Sequence, residues 1–201
     1  MIIYIVFDLG NVILRWDPHY IAGKLSNDKD DQKIIVDELF GSSQWQMLDQ
    51  GLITVDEVKQ QFSSEHYELL SYALDHWHDY FEPFVKMILL VKELKERGYQ
   101  IYLLSNCSVQ FDDYCRRVEA FKYFDDFYLS ARHQLLKPDL KIYQDFLSKF
   151  DLLAEECIFI DDVLANVEGA QATNMAAYHY DGDVEKLRSC LRNCYNIPIN
   201  Y

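Results

Sequence analysis

The 201-residue chain has little of what staples or breaks a fold: 7 glycines, 4 prolines, and 5 cysteines with no Cys-x-x-Cys pair. So little glycine and proline excludes a collagen-like or low-complexity chain, and no internal repeat is visible. The odd cysteine count gives no disulfide framework, and reduced thiols point to a cytoplasmic protein. Cys190 and Cys194 stand one helical turn apart, but no histidine or further cysteine lies nearby at ligand spacing, so they read as ordinary helix positions. Positive charge is scarce as well. Against 33 Asp and Glu there are 19 Lys and Arg, for a net charge of −14. No basic stripe is present, which argues against a nucleic-acid partner, and the acidic surface disfavours an anionic membrane. Long apolar runs are missing too. The N-terminal run, Ile2 to Phe7, is too short for a signal peptide or a membrane span.

Apolar residues make up 50% of the chain and aromatic residues 15%. A chain of this length buries about 70% of its extended surface and needs no metal or disulfide for stability. It suits one domain, or one with a modest insertion.

IIYIVF at 2–7 has the continuous apolar, β-branched character of a strand buried on both faces. From about residue 84 strands and helices alternate. FVKMILLVKELKERG reads as a helix with a basic last turn and a glycine stop, and IYLLS at 101–105 as the next strand. A helix over 109–121 leads to FYLS at 127–130, and Asp139 caps a helix running to Phe150. CIFIDD at 157–162 is a strand ending in acids; a helix over 164–173, MAAYHY at 175–180 and a helix over 183–193 complete the series. This alternation predicts an α/β fold with a doubly wound parallel sheet, whose ligands sit at the carboxyl ends of the strands.

Residues 15–83 interrupt the alternation. Ile34 to Phe40, Thr54 to Phe62 and His66 to Phe81 read as helices, with Thr54 and Glu57 spaced for a capping box. The expected organisation is a core of 1–14 and 84–201, with 15–83 as a small helical insertion over the carboxyl edge of the sheet.

Four separated stretches bring chemistry to that edge: Asp8, Ser105-Asn106, Lys137 and Asp161-Asp162. A carboxylate can attack phosphorus or carbon. Several converging acids repel one another, and a divalent cation resolves the repulsion while neutralising a phosphate. Ser105 can donate to a phosphoryl oxygen, and Lys137 brings a compact positive charge.

FDLGNVI, LLSN, LKPDLKIY and FIDDVLANVEGA, in this order, resemble the four signature stretches of the haloacid dehalogenase-like hydrolases. The DLGNVI and KP-x3-IY forms look most like the α-D-glucose-1-phosphate phosphatase branch. The resemblance implies a Rossmannoid core with a helical cap, and a phosphatase of small phosphorylated metabolites, sugar phosphates among them. It implies that Asp8 is the nucleophile that becomes an aspartyl phosphate. Ser105 and Asn106 hold the phosphate, and Lys137 balances charge. Mg²⁺ is held by Asp8, the Gly10 carbonyl and Asp162, with Asp161 binding or orienting it.

The chain departs from the family pattern twice. The common first stretch is D-x-D-G-T/V, whose second aspartate is the general acid and base; here that position is Gly10, followed by Asn11, which tolerates positive φ. General acid–base help is worth about 10²–10⁴-fold, a small part of what phosphatases achieve, so catalysis survives its loss. Leu136 also stands where relatives often have arginine.

Two other readings compete: a 2-haloacid dehalogenase, which uses no metal, and a weakly catalytic binding protein. Elsewhere, His76 and His78 point to different helix faces and read as surface or packing residues rather than a metal pair. Trp45, Tyr67, Trp77 and Tyr80 are expected to pack the cap, with one or two facing the substrate. Arg15 and Trp16 stand either at the site or in a solvated hinge. Glu168-Gly169-Ala170 opens no phosphate loop.

Overall fold

The computed structural model describes residues 1–200. Its sheet has five parallel strands in the order β3-β2-β1-β4-β5. They are β1 (Tyr4–Phe7), β2 (Gln100–Ser105), β3 (Asp126–Leu129), β4 (Cys157–Asp161) and β5 (Ala176–His179). The apolar runs form the centre because both faces are covered. Ile5 and Phe7 pack into one layer with Leu90, Leu94 and Leu187. Val6 packs into the other with Ile142, Tyr143, Phe146 and Ala170. Phe7 is in register with Leu103 and Ile160. Asp8, Ser105 and Asp161 therefore emerge together at the carboxyl edge.

Between β1 and β2 the chain builds α1 (Pro18–Leu25), α2 (Lys29–Ile34), α3 (Ser43–Gln50), α4 (Val55–Lys59), α5 (Tyr67–His76) and α6 (Val85–Glu96). The starts are written in the local sequence. Asp17, Asp28 and Ser42 cap α1, α2 and α3, and Thr54 and Glu57 form a reciprocal capping box on α4. Arg15 N–H donates to the Glu82 carbonyl at 2.9 Å, and Phe84 N–H to the Ile13 carbonyl at 3.0 Å. The outgoing and returning segments thus run side by side as a paired neck. The later helices are α7 (Phe111–Tyr114), α8 (Ser130–His133), α9 (Leu140–Lys149), α10 (Leu164–Gln171) and α11 (Val184–Tyr195).

Three expected helices differ in form. The single helix expected over 109–121 is broken into α7 and two 3₁₀ turns, Cys115–Arg117 and Glu119–Tyr123, separated at Val118 in extended conformation. Phe111, Phe121, Phe124 and Phe127 cluster there ring against ring, and their packing overrides helical continuity. The helix expected from His66 to Phe81 tightens after His76 into a 3₁₀ turn, Trp77–Tyr80, which turns Trp77 into the interior. Ile35–Phe40 is a π-helical continuation of α2. Among the described residues no helix is long and apolar enough to cross a membrane.

Candidate active site

A cavity of about 250 Å³ opens at the carboxyl edge of the sheet. Asp8, Gly10, Asn11, Ser105, Asn106, Lys137, Asp162 and Asn166 line its core side. The sequence-expected site residues are thus brought together, and Asp161 lies directly beneath them, fully buried.

Lys137 organises the floor. Its ammonium donates to Asp8 Oδ1 at 2.6 Å and to Asp161 Oδ2 at 2.7 Å. Burial acts to lower its pKa, but the two carboxylates outweigh burial and hold it charged. Burial pushes Asp8 up to about 6; Lys137 opposes that shift and Asp161 adds to it. The loop that carries Lys137 is fixed by Asn106. Its side-chain oxygen accepts from Lys137 N–H at 2.8 Å, and its amide donates to the Lys137 carbonyl at 3.0 Å.

The two neighbouring acids differ. Asp161 accepts from Lys137, from Val163 N–H at 2.8 Å, and from the Asn166 amide at 3.1 and 3.0 Å on its two oxygens. Its acceptor capacity is largely filled. Asp162 is half-buried and accepts from Asn11 Nδ2 at 3.2 Å through Oδ2. Burial raises its pKa and Asp161 adds to the rise, while Asn11 opposes it. Oxygens of Asp8, Asp161 and Asp162 lie within 4.8 Å of one another. Hard carboxylate oxygens at that separation, two of them buried, suit an oxygen-liganded divalent cation such as Mg²⁺. Asn11 takes φ of 53°, so the turn after Asp8 closes without glycine.

The opposite wall comes from the inserted helices. Residues between 15 and 83 contribute Trp16, Trp45, Asp49, Trp77 and Phe81 to the lining. Trp16 stacks on Trp45 with centroids 5.5 Å apart, and Trp77 meets both edge-on at 5.4 and 5.0 Å. Phe81 and Tyr114 continue the wall. The buried Trp77 indole N–H donates to Gln110 Oε1 at 3.3 Å, which fixes the ring.

The sequence profile of the haloacid dehalogenase-like hydrolases matches residues 4–174. The chain belongs to that family. This hydrolase is 29% identical over 190 residues to a sesquiterpene phosphatase of Aspergillus oryzae, covering 92% of each chain. Its fold is similar to that of a HAD family enzyme of Bacteroides thetaiotaomicron in complex with magnesium and inorganic phosphate. That match has a TM-score of 0.70 and 21% identity, covering 93% of this chain and 99% of the other. It is also similar to an L-2-haloacid dehalogenase of Xanthobacter autotrophicus with chloropropionic acid covalently bound. There the TM-score is 0.68 with 12% identity, covering 99% of this chain and 85% of the other.

Several lining residues of the hydrolase escape a reading of its sequence. Trp16 enters the cavity, whereas Arg15 turns to Asp17 and Glu82 and stacks on Tyr20. Of the four aromatics weighed for the insertion, Trp45 and Trp77 line the cavity; Tyr67 is exposed and Tyr80 lies outside the lining. His76 pairs with Asp79 at 3.0 Å, and His78 stacks on Tyr114, meets Arg117 and lies 3.6 Å from the same Asp79, so both histidines belong to an ion-pair and packing cluster away from the cavity lining. A reading of the sequence misses Asn166 and Asp49. The signal for Asn166 was its place on α10, five residues after Asp161. For Asp49 it was the i,i+4 spacing from Trp45 in QWQMLDQ, which puts both on one face of α3.

Proposed function

We propose that this hydrolase is a Mg²⁺-dependent phosphatase of monophosphate esters whose organic part is apolar, through an aspartyl-phosphate intermediate. The observation that carries this reading is the division of one cavity into a charged floor and an aromatic wall. The buried Asp8 carboxylate is the nucleophile, with one oxygen held by Lys137. Lys137 also offsets the charge of an incoming phosphate, and Ser105, buried at the end of β2, donates to a phosphoryl oxygen. Asn106 acts through Lys137 by fixing its backbone.

Asp8, the Gly10 carbonyl and Asp162 would hold Mg²⁺, with Asp161 orienting the floor through Lys137 and Asn166. When bound, the cation neutralises phosphate charge and lowers the repulsion between the dianion and the acids. The acids are also why the dehalogenase reading is disfavoured: without a cation, three clustered carboxylates face one ammonium. Residues 15–83 act as the cap that covers the reacting centre.

Indole and phenyl surfaces reward apolar contact, whereas a sugar would set its hydroxyls against groups that cannot pair with them. The relative of A. oryzae, a sesquiterpene phosphatase, supports the same class. Phosphate release from a C15 prenyl monophosphate and from glucose phosphates, with and without Mg²⁺, tests the reading. The prenyl ester is expected to be preferred by at least about 100-fold in kcat/KM, with Trp45→Ala raising its KM by roughly tenfold. Equal turnover of sugar phosphates, unaffected by loss of Trp45, would remove the assignment.

A further inference from the structure

Gly10 stands where the family pattern places its acid, so an alkoxide leaving group needs a proton from elsewhere. Among the lining residues contributed by the inserted helices, four are aromatic and one is ionisable, Asp49. It sits in the last turn of α3, one turn beyond Trp45. The structure ties it to the core. Ser130 Oγ donates to the Asp49 carbonyl and accepts from Cys107 N–H. Gln50 donates to the Gln134 carbonyl at 3.2 Å. Gly51 follows with φ of 73°, and a Cβ there would come within 2.0 Å of the Ala131 carbonyl oxygen. Only glycine allows that approach, and it seats the end of α3 against α8. Asp49, Cys107 and Asp8 line the same cavity, and burial pushes the Cys107 thiol up, with Asp49 and Asp8 adding to the rise.

We propose that Asp49 is the catalytic acid and base of this hydrolase, supplied from the inserted helices in place of an aspartate at position 10. The inference rests on the phosphatase reading. As Asp8 Oδ attacks, the bond from phosphorus to the ester oxygen breaks, and that oxygen takes the Asp49 proton to leave as the alcohol. The Asp49 carboxylate then removes a proton from water. The water oxygen bonds to phosphorus, the bond to Asp8 breaks, and phosphate leaves with Asp8 as carboxylate and Asp49 as acid. One ester and one water give one alcohol and one phosphate.

The surroundings suit the first step. Burial pushes Asp49 up to about 8, with the Ser108 backbone N–H and the Trp45 side chain opposing the shift. The carbonyl end of α3 also disfavours a negative charge there. Of the titratable groups that face it, burial pushes the Cys107 thiol and the Tyr114 hydroxyl upward, Asp49 adding to both shifts, so neither brings a compensating positive charge. On α8, Arg132 is engaged by Asp112 and His133 by Asp145. Asp49 is therefore protonated at neutral pH, the state a proton donor requires.

The test compares Asp49→Asn with the wild type on a prenyl or alkyl phosphate and on an aryl phosphate with a nitrophenolate leaving group, with Mg²⁺ present. The aryl ester needs no acid to leave, so its formation of acyl phosphate also reports an intact fold and nucleophile. Single-turnover release of alcohol or phenol isolates the first step. The expected result is a loss of about 10²–10⁴-fold on the alkyl ester and under about tenfold on the aryl ester. The wild-type rate on the alkyl ester should fall as pH rises through about 8, and the variant should lack that limb. Asp49→Glu should restore part of the alkyl rate. An equal loss on both esters, or no loss on either, overturns the role of Asp49 and leaves the phosphatase reading standing. A wild type inert toward both esters removes that reading, and the inference with it.

Discussion

The Lys137 ammonium lies 2.6 Å from Asp8 Oδ1, and the lysine side chain is almost wholly withdrawn from solvent. Its second partner, Asp161, is fully buried. Removing one member of such a group strands the others as uncompensated charge. Lys137→Met is expected to cost roughly 3–5 kcal/mol of stability in urea titration. A loss below about 1 kcal/mol would show that this ion-paired floor does not hold the carboxyl edge together.

Asp161 and Asp162 are adjacent in sequence and should fail differently. Asp162→Asn is expected to weaken Mg²⁺ binding at least tenfold in calorimetry while leaving the melting temperature within a few degrees, since the Asp162 carboxylate accepts from Asn11 and from its own backbone N–H, partners an amide oxygen can keep. Asp161→Asn should melt markedly lower, because Lys137, Val163 and Asn166 all donate to that carboxylate. The reverse pattern would exchange their roles.

Gly10→Asp restores the common family pattern and tests how much room the site has. A Cβ at Gly10 comes 3.3 Å from the Trp16 Cβ, so Trp16 must give by a few tenths of an ångström. Placed in the Asp49→Asn protein, the substitution is expected to recover at least tenfold in the alkyl-ester rate. No recovery, with single-turnover phenol release from the aryl ester intact, would mean that a carboxyl at position 10 cannot reach the leaving oxygen past Trp16.

Asp49 also carries a stability signature. Its folded pKa, near 8, lies far above the value of about 3.9 in an unfolded chain. The unfolded state therefore releases its proton first, and stability is lost as pH rises from about 4 to 8. Asp49→Asn abolishes that loss. Its gain in melting temperature over the wild type should be small near pH 4, grow by roughly 3–5 °C per pH unit up to about pH 8, and then level off. A constant difference across that range would show that Asp49 ionises normally in the folded chain.

Much of this architecture was legible in the sequence, for a local reason. IIYIVF and CIFI are apolar without alternation, a pattern that suits a two-sided strand, and each is followed by an acid that an apolar core holds only with a partner, so it marks the strand end. In a parallel sheet every strand end lies on the same edge, so Asp8, Ser105 and Asp161 converge without any knowledge of packing. Thr54 and Glu57, and Asp139 before α9, announced helix starts through backbone N–H groups two or three residues away.

The sequence by itself therefore determined the strands, the capped helices and the charged floor, because each follows from interactions a few residues long or from the strand-end rule. Tertiary structure alone decided the division of labour between Asp161 and Asp162, which depends on Lys137 and Asn166 arriving from elsewhere. It alone broke the helix expected over 109–121, where clustered phenylalanines won over helical propensity. It alone brought Trp16, Trp45, Trp77 and Asp49 over the nucleophile. That placement depends on Gly51 meeting Ala131 and Ser130 meeting Asp49, contacts about eighty residues apart that no local periodicity encodes.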